Sequence, residues 1–315
     1  MLVILTTPIP DNLNSLLRYL YLRFLSLFFI KHRYTGGHFA VLRSVLMGFK
    51  KNRTPFVFNP IALKSNYDIV WVPAGIDALN QAVKLKKQGL IKKILAGPNL
   101  MVWSSDYDGI LANPMIDRVL LPSQWTVTAY IEDLPIIKNK ITVWYAGVDE
   151  TYWQPDLGVK KDLILIYNKS GDPETLRTVE NLLRTNRHDY LIITYGQYNK
   201  KYYKHCLNRT LLIIFISSHE SQGLALAEAW SMNVPTLCWD PGSLEFLGRS
   251  YSEVSSCPYL SDQSGLRWKD VSQLPELLAG MIRDIQDYSP RKWLLNNMTD
   301  QISARNLTSI IDKII

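Results

Sequence analysis

The sequence predicts an α/β protein with two doubly wound parallel sheets, and three features support this prediction. Short apolar runs alternate with segments of helical period along the chain, a pattern typical of βαβ units. The runs are apolar at nearly every position, as expected for strands that helices cover on both faces. The chain has 315 residues, and because single cores stop growing near about 250–300 residues, two domains are expected.

The predicted strands fall into two sets. The first set is LVIL, PFVFN, DIVWV, KKILA, RVLLP and ITVWY, and the second is DLILIY, YLIITY, LLIIFI and VPTLCW. Between the sets lies WYAGVDETYWQPDLGVKKD, which combines glycine, proline and charges without a clear period. We therefore predict one Rossmann-like domain at 1–154 and a second at 155–315 with closing C-terminal helices. Right-handed crossovers would make both sheets doubly wound, and the two domains would face a central cleft.

The composition, 47% hydrophobic and 20% charged residues with a net charge of +7, is that of a folded basic protein. Part of the excess lies in KLKKQGLIKK, which contains five lysines. This cluster is either a solvated helix face or a surface that attracts acidic lipid headgroups or phosphorylated ligands. No zinc-finger spacing, RNP-like pattern or basic region with heptads is present, so nucleic acid is not an expected partner.

The N-terminal residues bear on the expected location. MLVILTTPIP reads as a buried strand rather than a secretion signal. The odd number of cysteines, three, and their spacing suggest a reduced, cytoplasmic setting. Residues 13–30 form an amphipathic pattern that fits a core helix, an interfacial membrane helix or, least well, a membrane span. The apolar face consists of Leu16, Leu17, Leu20, Phe24, Leu27 and Phe28.

Loops that follow predicted strands are where ligands of α/β proteins bind. Gly36 and Gly37 precede a helix pattern, as either a phosphate-binding turn or a plain helix entry. Lys169 follows the first strand of the second domain and is either a phosphate ligand or an exposed loop lysine. Ser170 or Asp172 is expected to cap the next helix.

The stretch SSHESQGLALAEAW follows the buried run LLIIFI and holds two acids, Glu220 and Glu228. A helix is expected to begin near Gln222, which places Glu220 at its mouth and Glu228 about one and a half turns inside. A carboxylate among alanines and leucines needs a partner, and ligand hydroxyls are suitable. The alternatives are a helix cap for Glu220 and an exposed helix residue for Glu228.

The longer stretch SSHESQGLALAEAWSMNVPTLCWDPGS resembles the E-x7-E region of retaining glycosyltransferases of the GT-B fold, group 1 (family 4). The residues in register are Glu220, Gly223, Glu228, Ala229, Pro235 and Gly242. TGGHFAVLRSVLMGFKK looks like the family's glycine-pair loop, RVLLPSQW through ETYWQP looks like its linker, and the C-terminal helices look like its closing helices. The resemblance thus covers most of the chain.

The resemblance implies an enzyme, a hexosyltransferase by type, that moves a sugar from a nucleotide-diphosphate sugar to a saccharide or lipid-linked acceptor with retention, in polysaccharide biosynthesis. It implies no catalytic metal and no cofactor besides the donor substrate. Glu228 would bind the ribose, Glu220 the transferred sugar and Lys169 the diphosphate, all in the second domain. The other implied donor or acceptor contacts are the amides of Ser221, Gln222 and Gly223, and Gly36, Gly37 and His38 of the first, acceptor-side domain.

Two alternatives remain open. A metal-dependent transferase of another fold would use Asp106 and Asp108 of SSDYDG, and it would need a single mixed-sheet domain. A non-catalytic nucleotide-sugar or glycan-binding protein would keep the fold without the reaction. The second stays open because the family's arginine close to the lysine is missing here, and Arg177 is only a distant substitute. A peripheral contact with the cytoplasmic membrane face is a further expectation.

Overall fold

The computed structural model describes residues 1–10, 12–14, 16, 17, 19, 20, 37–63, 67–169 and 172–314. The chain forms two compact units. Unit 1 comprises Met1–Gly147 and Asp300–Ile315, and unit 2 comprises Val148–Thr299.

Unit 1 is built on a six-stranded sheet in which every strand pair is parallel. Its strands are β1 (Leu2–Ile4), β2 (Phe56–Phe58), β3 (Tyr67–Ala74), β4 (Ile91–Asn99), β5 (Arg118–Leu121) and β6 (Ile141–Val143). They lie in the order β2-β1-β3-β4-β5-β6. Three longer helices of this unit are α1 (Gly37–Lys51), α2 (Ile76–Lys87) and α3 (Gln124–Asp133). Buried aliphatic side chains of the sheet and of α2 form one core cluster.

Unit 2 contains a five-stranded parallel sheet and a separate antiparallel hairpin. The sheet strands are β7 (Leu163–Asn168), β8 (Tyr190–Thr194), β9 (Thr210–Ile216), β10 (Thr236–Trp239) and, after the hairpin β11 (Ser243–Phe246) and β12 (Arg249–Ser252), β13 (Gly265–Trp268). The order is β13-β10-β9-β7-β8. The helices are α4 (Pro173–Thr185), α5 (Lys200–Arg209), α6 (Leu224–Ser231), α7 (Leu274–Arg283) and α8 (Pro290–Asn297).

All ten predicted strands are confirmed, because their apolar runs are long enough to identify a strand. The central strands are buried on both faces, whereas the edge strands β2 and β6 are only partly buried. Three strands were not predicted. β13 has only four residues and includes the charged Arg267. The hairpin strands β11 and β12 are mostly exposed, so they lack the apolar run on which the predictions depend.

The unit boundaries differ from the predicted 1–154 and 155–315 in two places. The first unit ends at Gly147, and the last helix, α9 (Asp300–Asp312), returns to it. Gly48 of α1 makes this return possible, because a side chain there would collide with the backbone of Asp300. The Trp144 indole donates to the Ser303 carbonyl oxygen at 3.0 Å, which ties α9 to the end of unit 1's sheet.

The N-terminal amphipathic segment is helical at its described positions between Leu13 and Leu20, and the rest of the predicted helix, 21–30, lies outside the described residues. Leu13, Leu17 and Leu20 are 69%, 56% and 43% exposed. In the part of the chain that the structure describes, no helix is long and apolar enough to cross a membrane.

The lysine cluster is partly paired with acids of its own unit. Lys86 and Lys93 contact Asp117 at 2.5 and 3.4 Å, and Lys92 contacts Asp68 at 2.7 Å. Two carboxylates thus offset only part of the charge of the five lysines, and Asp68 is shared with the N-terminal amino group. The solvated-face and the anion-attracting interpretations both stay predictions.

Candidate functional site

The strand order of unit 2 defines where a ligand is expected. From β7 the chain passes to β8 on one side, and then returns to place β9 on the other side. Such a reversal leaves a crevice outside the carboxyl ends of the two central strands, and ligands of open α/β sheets bind there. Lys169 directly follows β7, and the segment from Ser217 to Gly223 directly follows β9. Both predicted charged residues therefore lie at this switch point.

Lys169 and Glu220 form an ion pair there. Lys169 Nζ lies 2.8 Å from Glu220 Oε1, and the Glu220 side chain is buried. Burial raises the pKa of Glu220 and the charge of Lys169 opposes that shift. Lys169 Nζ also lies 4.9 Å from the centroid of the Tyr195 ring, at the carboxyl end of β8. The lysine thus joins three loops at one edge of the sheet.

His219 directly precedes Glu220 and was not predicted as a site residue. Its Nδ1 lies 3.1 Å from Ser218 Oγ, and its ring centroid lies 6.0 Å from that of Phe246 on the hairpin. Burial, and to a lesser degree Lys169, lowers the pKa of His219, so its neutral form dominates at neutral pH. In the sequence, the only indication that His219 belongs to the site was its position between Ser218 and the predicted acid Glu220.

The helix after β9 begins at Leu224, two residues later than predicted, because Gly223 takes a left-handed conformation at its N-cap (φ 80°). The structure therefore places Glu220 in the loop before the helix and not in its first turn. Ser221 is exposed and Gln222 is buried in this loop. Ser221, Gln222 and Gly223 together form the short connection between Glu220 and α6.

Glu228 lies four residues into α6, about 6 Å along the axis from its start. It is half-buried, and burial raises its pKa to about 7. The charge of Lys200 and a hydrogen bond with the Trp153 side chain oppose that shift. Lys200 Nζ itself lies 5.0 Å from the Trp153 ring centroid. Glu228 is therefore not the exposed helix residue of the alternative interpretation.

The predicted residues of the first domain lie in unit 1. Gly37 begins α1 and His38 follows it, and both are exposed. A side chain at Gly37 would meet no atom within 4 Å, so packing within the described residues does not explain a glycine there. Gly36 and the predicted cap Ser170 lie outside the described residues. The second predicted cap is confirmed, because the Asp172 side chain accepts from Thr175 N at 3.0 Å.

The residues that bear on the two alternative functions, the metal-dependent transferase and the non-catalytic binding protein, lie in the described part of the chain. Asp106 accepts a hydrogen bond from Trp103 N at 2.9 Å, within the helical turn Asp106–Gly109 of unit 1, and Asp108 there has a φ of 56°. Across the described ranges, no group of three or more His, Cys, Asp or Glu side chains is arranged to hold a metal ion. Arg177 is exposed on α4, where its charge acts on Asp172.

No family model matches the chain, and no curated protein matches it either. Solved structures do match. The apo form of the lipopolysaccharide outer core galactosyltransferase WaaB aligns over 100% of both chains with 12% identity and a TM-score of 0.63. A glycosyltransferase from Rickettsia africae ESF-5 aligns over 99% of this chain and 98% of its own, with 12% identity and a TM-score of 0.60.

A third match, HepE of Anabaena in complex with UDP and glucose, aligns over 99% of both chains with 10% identity and a TM-score of 0.54. At such identities the likeness concerns the fold alone. It extends over essentially the whole chain, and both sheets agree with it. This chain therefore has the GT-B fold, with two Rossmann-like domains.

Proposed function

We propose that this protein is a glycosyltransferase that moves a sugar, a hexose by type, from a nucleotide-diphosphate sugar to a saccharide or lipid-linked acceptor. The observation that carries the proposal is the Lys169–Glu220 pair at the switch point of unit 2, with Glu228 on the helix that follows. A cation and two acids at the carboxyl edge of a parallel sheet suit a ligand that offers both phosphates and hydroxyls. Two structural neighbours, a glycosyltransferase and a galactosyltransferase, support the same class, and a third is a complex with UDP and glucose.

In the proposed reaction, the bond between the sugar's anomeric carbon and the diphosphate breaks, and a bond from an acceptor oxygen to that carbon forms. The leaving diphosphate oxygen takes the bonding electron pair and would accept the proton that the acceptor hydroxyl loses. Lys169 would stabilise the negative charge that grows on the leaving group, which favours the transition state over the bound donor. Retention would follow from attack on the face that the diphosphate leaves, without an enzyme nucleophile.

The two acids would have separate roles. Glu220 would accept hydrogen bonds from hydroxyls of the transferred sugar, and Glu228 would accept them from the ribose. When the donor binds, Lys169 would exchange Glu220 for the diphosphate as its ion-pair partner, because the two compete for its charge. Gly37 and His38, in unit 1, remain proposed contacts of the donor or acceptor, and in unit 2 the amides of Ser221, Gln222 and Gly223 would lie near the sugar and phosphates.

The test is a panel of nucleotide-diphosphate sugars incubated with the purified protein, with release of nucleoside diphosphate measured with and without candidate acceptors. We expect turnover of at least one donor and a strong loss of donor binding and transfer in Glu228→Ala. The matched control is Glu276→Ala, which removes an exposed glutamate from α7 of the same unit. Intact binding and transfer in Glu228→Ala would refute the assignment, and donor binding without any turnover would support the non-catalytic alternative.

A lipid-linked acceptor would bring the protein to a membrane surface, on the cytoplasmic side. The support is the helical segment with Leu13, Leu17 and Leu20 exposed at helical spacing. Because the ion pairs offset only part of the charge of the lysine cluster, we expect flotation on anionic liposomes to weaken in part at high salt, and the exposed leucines to supply the rest. Replacement of Leu13 and Leu17 by serine should abolish flotation at high salt, and binding that persists there in this variant would contradict the membrane role of the helix.

A further inference from the structure

The chain between β10 and β13 leaves the sheet, forms the β11–β12 hairpin and returns at Ser255–Cys257. Asp240 begins this excursion directly after β10 and is 7% exposed. A buried carboxylate is costly unless hydrogen bonds and an opposite charge compensate it. Asp240 has both, and neither was apparent from the sequence.

The Asp240 carboxylate joins the two ends of the excursion. It accepts hydrogen bonds from Ser256 N at 2.7 Å and from Ser255 Oγ at 3.1 Å. The Cys257 thiol also approaches it, with Sγ 3.6 Å from Oδ2. Sixteen positions separate Asp240 from Ser256, so the carboxylate closes a long loop at its base.

Arg267 of β13 compensates the charge of this carboxylate. Its Nε lies 3.1 Å from Asp240 Oδ2, and its Nη2 donates to the Cys257 carbonyl oxygen at 3.2 Å. The arginine therefore contacts both the acid and the returning segment. Removal of either charged partner would leave the other charge without its compensation.

The closed base of the loop contacts the candidate site directly. The backbone N–H of Glu220 donates to the Ser255 carbonyl oxygen at 3.0 Å. Ser255 is the residue whose hydroxyl donates to Asp240. A continuous path of hydrogen bonds thus runs from Asp240 through Ser255 to the backbone of the acid that pairs with Lys169.

We propose that Asp240, with Arg267, is a positioning residue that holds the returning loop and thereby fixes the backbone of Glu220 for sugar transfer. The catalytic part of this inference rests on the proposed function. Its structural part, that the Glu220 backbone depends on Asp240, can be measured without any reaction.

The first experiment is hydrogen–deuterium exchange of the full-length protein over residues 217–223. Asp240→Asn keeps the size of the side chain but removes its charge, so the Glu220 amide should exchange roughly tenfold faster than in the wild type. The matched control is Asp284→Asn, which breaks an exposed aspartate–arginine pair in the same unit (2.7 Å to Arg283) and should leave that exchange unchanged. Unchanged exchange in a folded Asp240→Asn protein overturns the inference.

The second experiment is kinetic. A positioning role predicts a roughly 10–100-fold lower kcat for Asp240→Asn with a much smaller change in the donor KM, since small misplacements at a site have effects of this size. In a Glu220→Gln background the same change should add little, because residues that act through one another are not additive. Full additivity would indicate a general structural role and would overturn the positioning role.

If Asp240→Asn fails to fold, Ser255→Ala serves instead, because it removes one of the two hydrogen bonds from the loop to Asp240 and leaves the ion pair with Arg267 in place. Faster exchange at Glu220 is again expected, and unchanged exchange again overturns the inference. Failure of the proposed function and failure of this inference would give different results. A protein that shows the exchange effect but releases no nucleoside diphosphate refutes the proposed function and leaves the structural link in place.

Discussion

The two units share one sheet topology and differ in what they place at its switch point. In unit 1, β1 lies between β2 and β3, just as β7 lies between β8 and β9 in unit 2. The loop after β1 is held by neutral groups: Thr6 N donates to Asn59 Oδ1 at 2.8 Å, and Asn59 Nδ2 donates to Thr6 Oγ1 at 2.9 Å. In unit 2 the same location holds the Lys169–Glu220 ion pair.

The packing around the equivalent N-cap glycines, Gly75 and Gly223, differs as well, although both have positive φ. Gly75 follows β3 of unit 1 with a φ of 93°, and a side chain there would come within 2.6 Å of the Thr6 carbonyl oxygen. The loops of unit 1 are thus packed against each other, whereas unit 2 presents charged groups whose pKa values are shifted by burial. Topology thus decides where a crevice forms, and the side chains decide what lies there, which is neutral hydrogen-bonded groups in unit 1 and an ion pair in unit 2.

The largest expected effect is on the ion pair of unit 2. Lys169→Met should lower kcat/KM by roughly 10²–10³-fold, because it removes the cation that would stabilise the leaving group. Lys92→Met is the control, since it breaks the exposed pair with Asp68 in unit 1, and it should change kcat/KM by less than about twofold. Equal effects of the two variants would remove the functional difference between the units.

The tight packing at the switch point of unit 1 can be tested by stability. Gly75→Ala should lower the free energy of unfolding by roughly 2–4 kcal/mol, because it adds a positive-φ penalty to a steric clash with Thr6. Gly89→Ala has a similar φ of 76° and open space around it, so about 1 kcal/mol is expected. Urea denaturation followed by circular dichroism measures both, and equal losses would show that the clash is relieved.

The acids at the switch point of unit 2 can lose a proton, whereas the neutral groups of unit 1 cannot. The dependence of the donor KM on pH therefore tests the acids. The pKa of Glu228 is raised to about 7, so the ionised form, which the proposed ribose contact would need, declines below that pH. The donor KM should therefore rise roughly tenfold from about pH 8 to about pH 6, as a single titration predicts. Glu228→Gln should show a high KM that is independent of pH, and a wild-type KM without pH dependence would contradict the role.

Stability should change in the opposite direction over this range. The folded-state pKa of Glu228 lies above its ordinary value of 4.5, so the folded protein binds this proton more tightly than the unfolded chain. The contribution of Glu228 to stability is therefore most favourable below about 4.5 and declines as the pH rises toward about 7. Thermal denaturation of the wild type and Glu228→Gln over this pH range measures the difference.

The smallest effect concerns turns with positive φ. Unit 1 uses Asn59 (φ 41°) beside its switch point, whereas the hairpin of unit 2 turns at Leu247 (φ 50°) and Gly248 (φ 77°). Such two-residue turns favour Asn-Gly, so Leu247→Asn should raise the free energy of unfolding by about 0.5–1 kcal/mol. Leu247→Ala, which lacks the asparagine preference, should give no such gain, and thermal denaturation of the two variants distinguishes them.

Several parts of the site were accessible from sequence because they follow strands. Lys169 and Glu220 lie directly after apolar runs, and the parallel topology brings such loop residues to one edge. His219 and Tyr195 share that location but carry no distinguishing pattern of their own. Asp240 also follows a strand, yet its role depends on Ser255 and Arg267, which no local period connects to it.

The sequence by itself determined the ten main strands, the two doubly wound sheets and the acids and lysine at the second switch point, because burial periodicity and loop position are local properties. Only the tertiary structure decided that Lys169 pairs with Glu220, that α9 returns to the first unit beside Gly48, and that Asp240 accepts a hydrogen bond from the returning loop. These facts depend on distances between residues far apart in the chain. Such distances follow from how the elements pack, and they cannot be inferred from the hydrophobic period of a single helix or strand.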